Sequence, residues 1–381
     1  MKKFLFLISI VLATCAAQAQ QVFDTEQYKV RAVTLIKDLY HPWSIAFLPD
    51  GRWLISERRG TLRIVENGKL TEKPVAGLPH IAEHGQGGLL DVQLHPKYAE
   101  NGWIYWTYND GVPGQYGTEV ARGKLGGTKD EPRMTDVQVL FKMNPKYPAN
   151  YHFGSRIVFD RDGYLYVTFG DRGDATDKGY QQNAQRLDTH AGKSIRLFDD
   201  GRVPPDNPFV KTPGAKPEIF TLGNRNMQGA TLHPVTGKVW AHEHGPQGGD
   251  EVNVLTSGTN YGWPVITYGA NYGSGSKIGE GTAKEGMAQP LLHWTPSIAP
   301  SGMAFYSGKP FAKWQGNLLV GALAGQMVVR ITLDGEKVVA QERMFVGKLG
   351  RIRDVRQGPD GLVYLLTDSP VGELIRLEPD R

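Results

Sequence analysis

The chain has 381 residues, with 43 Lys and Arg, 39 Asp and Glu, 47 Gly, 24 Pro and one Cys. A charge this close to balance, without a Lys/Arg run interleaved with aromatic residues, argues against nucleic acid as a partner. A single cysteine excludes a disulfide framework, a thiolate metal site and a CxxCH haem attachment within this sequence.

Residues 1–19 have the pattern of an export signal. Lys2 and Lys3 form a charged start, residues 4–13 an apolar stretch too short to span a membrane, and residues 17–19 a small-residue cleavage site. Cleavage after Ala19 removes Cys15; a lipoprotein signal that ends at Cys15 is the weaker alternative. We therefore expect a periplasmic or secreted protein with no membrane span, whose mature part is residues 20–381.

The Gly, Pro and aromatic content, with no sustained helical period, predicts an all-β fold. One pattern recurs six times: an apolar strand, a tight polar turn and a second apolar or aromatic strand, with the turn glycines at positions 51, 102, 163, 237, 316 and 361. Asp, Asn, Thr or Gln precedes each glycine, as in hairpin loops that need positive φ. Further strands usually follow, for example residues 61–65 and 327–333.

Repeats of about 40–50 residues with several strands each predict a six-bladed β-propeller of four-stranded antiparallel blades. The middle repeats carry insertions. Residues 22–39 precede the first full repeat and are expected to supply a strand that closes the ring with the last blade. The whole of residues 20–381 is then one propeller domain.

In a propeller, the residues just before each inner strand line one mouth of the central channel. Four blades place polar side chains there: Gln86, His152, Arg225, Asn226, Arg351 and Arg353. Three guanidinium groups at one site predict an anion with several carboxylates or phosphates. His152 titrates near neutral pH and is the candidate general base. A binding scaffold without chemistry is the alternative.

Residues 242–251 read HEHGPQGGDE and crowd Gly and Pro against Asp250 and Glu251. Such turns leave carbonyl oxygens free, and carbonyls with a carboxylate suit a hard cation such as Ca²⁺. Zinc is disfavoured, because the glycines forbid the helix that places two His ligands one turn apart. A plain Gly-rich turn remains the alternative.

Several motifs together resemble the soluble quinoprotein aldose sugar dehydrogenases, six-bladed propellers that bind pyrroloquinoline quinone (PQQ) and calcium. They are HGQGGLLDVQLHP, HFGSRIVFDRDGYLYVTFGDRGD, LGNRNMQGATLHP, EHGPQGGDEVN, NYGWP, SIAPSGMAFY and RIRDV, from residues 84, 152, 222, 243, 260, 297 and 351. The resemblance covers essentially all of the chain after the predicted signal. It implies oxidation of aldoses to lactones by hydride transfer to PQQ.

The resemblance also implies residue roles. His152 is similar to the base that takes the proton of the anomeric hydroxyl, and Asp171 to an acidic residue beside it. Gly245 and Pro246 match residues whose main-chain carbonyls hold the catalytic Ca²⁺, and Glu251 and Tyr261 match a second, structural calcium site. The positions that match cofactor contacts are Gln86, Arg225, Asn226, Arg351 and Arg353, with Tyr272 on the cofactor or the sugar.

One departure concerns a Lys that the family places on the quinone. This chain has Leu323 and Ala324 there, so that the backbone of Ala322, Leu323 and Ala324 is expected to contact the cofactor without the charge. Weaker PQQ affinity or a shifted redox potential is the expected consequence. Because no haem motif is present, electrons must pass to a separate acceptor, a soluble cytochrome, a quinone or a dye.

Two other functions remain open at this point. A calcium-dependent lactonase also places Ca²⁺ and a His base in a propeller mouth, but it usually binds the metal through side-chain carboxylates and Asn and has no use for three arginines. A sugar- or protein-binding propeller that has lost the cofactor is the non-enzymatic alternative, which Ala324 keeps open.

Overall fold

The computed structural model describes residues 20–173 and 179–380. The predicted export signal at residues 1–19, with Cys15, lies outside the described residues. Within them, the strands form six antiparallel sheets, five with four strands and one with five. The helical segments are three short ones, α-helix Tyr98–Asn101 and 3₁₀ helices Tyr180–Gln185 and Ala312–Trp314. The predicted six-bladed β-propeller is confirmed.

In blades 1 to 5, the strands follow one another in the chain from the inner strand to the outer. Blade 1 consists of Pro42–Phe47, Trp53–Glu57, Thr61–Glu66 and Lys69–Leu70. Blade 2 consists of Leu89–Leu94, Trp103–Val112, Gln115–Gly127 and Pro132–Lys142. Blade 3 consists of Ile157–Phe159, Leu165–Thr168, Ser194–Leu197 and Ile219–Thr221. Blade 4 consists of Met227–Leu232, Val239–Glu243, Asp250–Val254 and Leu292–Trp294. Blade 5 consists of Pro300–Phe305, Leu318–Ala322, Met327–Asp334 and Lys337–Met344.

Blade 6 joins the two ends of the described chain. Its first three strands are Ile352–Gln357, Val363–Thr367 and Gly372–Pro379, and its outer strands are Lys29–Leu39 and Gln20–Asp24. Val30 lies opposite Pro379 and Leu39 opposite Gly372 in the antiparallel ladder. The predicted closure of the ring by residues 22–39 is therefore confirmed, and the closing segment adds a fifth strand, Gln20–Asp24, to the blade.

Most of the hydrophobic core lies between the blades in six clusters, one for each pair of neighbours. A seventh, small cluster consists of Trp43, Leu90 and Phe153. Alternation along a strand produces this arrangement, because successive side chains point to opposite faces of a sheet. In blade 6, Val363 and Leu365 pack toward blade 5, whereas Tyr364 and Leu366 pack toward blade 1. Both faces are buried, which explains the near-continuous apolar runs in the sequence.

All six predicted turn glycines, at positions 51, 102, 163, 237, 316 and 361, have positive φ between 69° and 89°. Each lies between the first and second strand of its blade. The first strands contact one another around a closed ring. Since the strands are antiparallel, the opposite end of the ring carries the segments that precede the first strands and the turns that follow the second strands. We call this end the channel mouth.

Below the mouth, buried ion pairs connect the first strands of different blades. Asp91 of blade 2 accepts hydrogen bonds from Arg156 Nη1 at 3.0 Å and from Arg356 Nη2 at 2.7 Å. Asp354 Oδ1 lies 3.1 Å from Arg156 Nη1, and Asp354 Oδ2 lies 3.0 Å from Arg356 Nε. Two carboxylates and two guanidinium groups balance in charge, and the cluster connects the blades that carry the mouth.

Candidate active site

His152 and Asp171 form a buried pair at the mouth of blade 3. His152 precedes the first strand of the blade, and Asp171 follows its second strand. The two side chains meet with Nδ1 and Oδ1 2.7 Å apart. Trp263 Nε1 donates to Asp171 Oδ2 at 2.7 Å, and the Gly173 amide donates to Oδ1 at 2.9 Å. Because an ionised carboxylate only accepts, His152 donates from Nδ1 and keeps the Nε2 lone pair free.

The surroundings of this pair keep the imidazole neutral at neutral pH. Burial lowers the pKa of His152, Arg225 and Arg172 lower it further, and Asp171 raises it by charge and hydrogen bonding. Burial alone would raise the pKa of Asp171, but its contacts with His152 and the charge of Arg225 bring it below the usual value. The result is a carboxylate that orients a neutral imidazole, the arrangement of a general base.

A cavity of about 290 Å³ opens in front of the pair. Its size suits a small molecule. Its lining comes from several blades and is mostly polar: His152, Asp171, Gly173, Gln181, Arg225, Pro246, Trp263, Asn271, Tyr272 and Ile278. Tyr272 is 57% exposed, so its ring forms part of the outer wall. Gln86 lies beside this cavity, where its Oε1 accepts from the His152 amide at 3.1 Å.

Arg225 links the base to the turn at residues 244–249. Its Nη1 donates to the carbonyls of His244 at 3.0 Å and Gly245 at 2.7 Å, and its guanidinium lies 5.3 Å from the Trp263 ring centre. The Pro246 carbonyl accepts from the Gly248 amide at 3.0 Å. Pro246 lines the cavity in front of His152, whereas Gly245 lines a smaller one beside Glu243 and Glu251. Each of the two predicted calcium-binding carbonyls accepts from one protein donor, which leaves a second lone pair.

The histidines of this turn anchor it to blade 5. The ring Nε2 atoms of His242 and His244 bond to the carbonyls of Ser301 and Pro300. Burial lowers the pKa of both, that of His242 to about 3, so both rings are neutral. Their bonds to the blade 5 backbone give both alternating His side chains a structural role.

Glu243 and Glu251 lie directly opposite each other on neighbouring strands of blade 4. Burial raises the pKa of Glu243 to about 7, and burial together with the Glu243 charge raises that of Glu251 well above its usual value. Tyr261 lines the same small cavity, of about 10 Å³. In the described ranges, no group of three or more His, Cys, Asp or Glu side chains is arranged to hold a metal.

The other predicted cofactor positions differ in burial and in the hydrogen-bonding groups that remain unpaired. Asn226 is 1% exposed; its Oδ1 accepts from the Gly154 amide at 3.2 Å, while its Nδ2 is buried without a partner. Ala322 ends the second strand of blade 5 and its backbone is held between Pro300 and Met327. Leu323 is buried and Ala324 exposed in the following turn.

Arg351 and Arg353 form a separate group around Asp368 of blade 6. Arg353 Nη2 lies 2.9 Å from Asp368 Oδ2, and its Nη1 donates to Gln228 at 2.6 Å. Arg351 Nη2 lies 3.5 Å from the same carboxylate, and its Nη1 donates to the Leu323 carbonyl at 3.4 Å. The structure therefore divides the three predicted arginines between two places at the mouth.

Three site residues were not singled out from the sequence: Trp263, Glu243 and Asp368. Asp171 and Asp368 both follow the second strands of their blades, which end at Thr168 and Thr367. The turns after the second strands therefore line the mouth as much as the segments before the first strands do. Had both sets of positions been compared along the repeats, Asp368 would have been identified. Trp263 and Glu243 stand in motifs already recognised, NYGWP and EHGPQGGDEVN.

Comparison with known proteins places this site in a family. A family model described as glucose / sorbosone dehydrogenase matches residues 39–376. Aldose sugar dehydrogenase YliI of Escherichia coli (strain K12) is 44% identical over 352 residues, which cover 91% of this chain and 92% of that protein. The solved apo form of the soluble aldose sugar dehydrogenase from Escherichia coli is 43% identical, with a TM-score of 0.87, and covers 92% of this chain and 100% of that chain.

A further solved structure contains a cofactor. The PQQ-bound form of the aldose sugar dehydrogenase from Streptomyces coelicolor is 26% identical and has a TM-score of 0.73, covering 93% of this chain and 99% of that chain. No helix within residues 20–173 and 179–380 is long and apolar enough to cross a membrane.

Proposed function

Since the chain belongs to the glucose / sorbosone dehydrogenase family, we propose that it oxidises the anomeric hydroxyl of aldose sugars to lactones with PQQ and Ca²⁺. The observation that carries the proposal is the neutral imidazole of His152, held through Nδ1 by Asp171 with its Nε2 free at a small-molecule cavity. Oxidation of a hemiacetal carbon needs one base and one hydride acceptor, and no protein nucleophile.

The proposed role of His152 is removal of the hydroxyl proton by Nε2. Asp171 stabilises the imidazolium that forms, and Trp263 and the Gly173 amide hold this carboxylate in place. Because the pKa of His152 is lowered, the side chain is ready to accept a proton at neutral pH. A bound sugar would lie between this base and the exposed ring of Tyr272.

The donors at the mouth fit an anion with several carboxylates. Arg351 and Arg353 share a single carboxylate, Asp368, and the buried Nδ2 of Asn226 has no partner. Arg225 and Gln86 complete the proposed contacts. PQQ, when bound, supplies the hydride acceptor that no amino acid side chain provides. The PQQ-bound relative supports this choice of cofactor.

Two cation positions are proposed with it. The second lone pairs of the Gly245 and Pro246 carbonyls suit Ca²⁺, which when bound supplies a Lewis acid beside the cofactor. In the buried pair of Glu243 and Glu251, the Glu243 charge adds to burial in raising the pKa of Glu251. The pair suits a structural cation that would neutralise both carboxylates, next to Tyr261. Arg225 already occupies one face of the Gly245 carbonyl, so the guanidinium and the cation would have to share it.

We further propose that the protein acts outside the cytoplasm, after removal of residues 1–19, and that its electrons pass to a separate acceptor. The signal pattern in the sequence supports export. A soluble cytochrome, a quinone or an artificial dye would each serve as the acceptor in an assay.

Reconstitution tests this function against the two alternatives from the sequence. The purified protein is incubated with PQQ and excess CaCl₂, and dye reduction is followed with a panel of aldoses, with and without His152→Gln. Aldose-dependent dye reduction that needs PQQ is expected. Lactone hydrolysis without PQQ would instead identify a lactonase, and sugar binding without either reaction would identify a binding propeller; both results contradict the proposal.

A further inference from the structure

Arg58 occupies in blade 1 the place that Asp368 occupies in blade 6. It directly follows the second strand, Trp53–Glu57, and so lies at the channel mouth. Its amide donates to the His41 carbonyl at 3.2 Å. The His41 ring in turn lies 2.7 Å from Asp368. These contacts hold the backbone of Arg58 beside the carboxylate that Arg351 and Arg353 share.

The neighbouring blade fixes the position of Arg58. Its carbonyl accepts from the Leu89 amide at 3.0 Å. A Cβ on Gly88 would lie 1.8 Å from that carbonyl oxygen and 2.7 Å from Arg58 Cγ. Blade 2 can approach this closely only because residue 88 is glycine with φ of 159°. The side chain of Arg58 is therefore packed from its base and is not a free surface arginine.

Arg58 differs from its neighbour Arg59 in what it bonds. Arg59 donates to Glu57 from Nε at 3.2 Å and from Nη2 at 2.9 Å, and its side chain is 42% exposed. The Nε of Arg58 is buried and has no hydrogen-bond partner. A buried guanidinium nitrogen without an acceptor is costly, because the group has lost water and gained nothing in exchange. Because Nε itself is enclosed by protein, a ligand acceptor would meet the outer nitrogens of this half-buried guanidinium.

The charges around Arg58 also lack balance. Burial lowers the pKa of Arg353, Asp368 raises it, and the positive charges of Arg351 and Arg58 lower it again. Three guanidinium groups thus act on one another around the single carboxylate of Asp368. In the buried cluster below the mouth, by contrast, two carboxylates balance the charge of two arginines. An excess of positive charge at a cavity mouth attracts a multivalent anion.

We propose that Arg58 is a further cofactor-binding residue, whose guanidinium donates from blade 1 to a carboxylate of PQQ. The inference rests on the proposed function and adds to it a contact that the motifs did not predict. The turn of blade 5 offers only Leu323 and Ala324 at the corresponding side of Arg351. Arg58 therefore supplies from blade 1 a positive charge that blade 5 does not.

The test is a titration of the purified, PQQ-free protein with PQQ in excess CaCl₂, followed by quenching of tryptophan fluorescence. The variant is Arg58→Gln, and Arg59→Gln is the matched control, one residue away and already paired with Glu57. Loss of a charge-assisted hydrogen bond is expected to raise the Kd of Arg58→Gln about 10- to 100-fold. Arg59→Gln is expected to bind as the wild type does. Melting temperatures without PQQ establish that each variant is folded.

The outcomes separate this inference from the function on which it rests. Equal affinities of the wild type and Arg58→Gln overturn the role of Arg58 while the function stands. Failure of the wild type to bind PQQ overturns both. If Arg58→Gln does not fold, Arg58→Lys replaces it; because lysine lacks the planar fork, its affinity should fall about 3- to 10-fold, and no loss at all contradicts the proposal.

Discussion

The two sides of the channel mouth differ in how far their polar and charged side chains are paired within the protein. On the side of blades 3 and 4, nearly every polar group is already paired: His152 with Asp171, Asp171 with Trp263, and Arg225 with the carbonyls of His244 and Gly245. On the side of blades 6 and 1, guanidinium groups outnumber carboxylates around Asp368. The base and the groups that orient it are therefore fixed without a ligand, whereas the guanidinium groups around Asp368 lack enough counter-charge.

This difference implies separate roles for the two sides, proton transfer on the first and cofactor binding on the second. A group that is fixed before the substrate arrives needs no rearrangement during the reaction, which is what a base requires. A group left without its counter-ion gains most when an anionic ligand binds, which is what a cofactor site requires. Changes to His152 and the groups that orient it should therefore alter the rate, whereas changes to the arginines around Asp368 should alter cofactor affinity and stability.

The largest effect is expected from His152→Gln. Removal of a general base should lower kcat with an aldose by about 10²- to 10⁴-fold, while the Kd for PQQ stays within about twofold of the wild type because no carboxylate-binding group is lost. Steady-state dye reduction and fluorescence titration measure the two quantities. His80→Gln, at an exposed histidine with a side chain 73% accessible, is the control. If His152→Gln lost PQQ affinity as strongly as rate, the proposed separation of the base from the cofactor-binding groups would be contradicted.

The next effect concerns stability on the charged side. Arg353→Met leaves buried Asp368 without its nearest guanidinium and should cost about 3 kcal/mol in the free energy of unfolding. Arg351→Met should cost less than about 1 kcal/mol, since its side chain is 48% exposed and lies 3.5 Å from the carboxylate. Urea unfolding without PQQ compares the two. Equal losses would show that the cluster does not distinguish a buried arginine from an exposed one.

The pH dependence tests the paired side. Because the pKa of His152 is lowered, the neutral base persists below pH 6.5, and kcat/KM should fall only at more acidic pH, as the imidazole gains a proton. Asp171 raises that pKa, against burial, Arg225 and Arg172. Asp171→Asn should therefore move the acidic limb to lower pH by about one unit, with a lower plateau. A limb that moves to higher pH would contradict the assigned electrostatics.

The smallest effect is expected from Ala324→Lys. The exposed turn has room for the side chain, and an added positive charge should raise PQQ affinity by up to about tenfold. The gain should be larger in an Arg58→Gln background, since one charge then replaces the other. Titrations of the four proteins form a double-mutant cycle. Identical affinities of the wild type and Ala324→Lys would rule out the expected effect of the missing charge.

The sequence predicted the fold well because the fold depends on local, repeated signals. Each turn glycine marks one hairpin, and the closing strand is apolar and lies where the pattern requires one. The site was predicted only in part. Trp263 bonds Asp171 across 92 positions of the chain, and such a pair leaves no local pattern. The division of the arginines was not predicted either, because it depends on which carbonyls the turn at residues 244–249 presents.

The most direct test is an anaerobic single turnover. Protein loaded with one equivalent of PQQ in excess CaCl₂ is mixed with an aldose and no other acceptor, and the cofactor absorbance and the lactone are measured together. The account predicts that the bound cofactor is reduced with one lactone formed per cofactor, and that His152→Gln slows this step while it still binds PQQ. Bound cofactor whose absorbance does not change with any aldose, and no lactone, would contradict the proposed function.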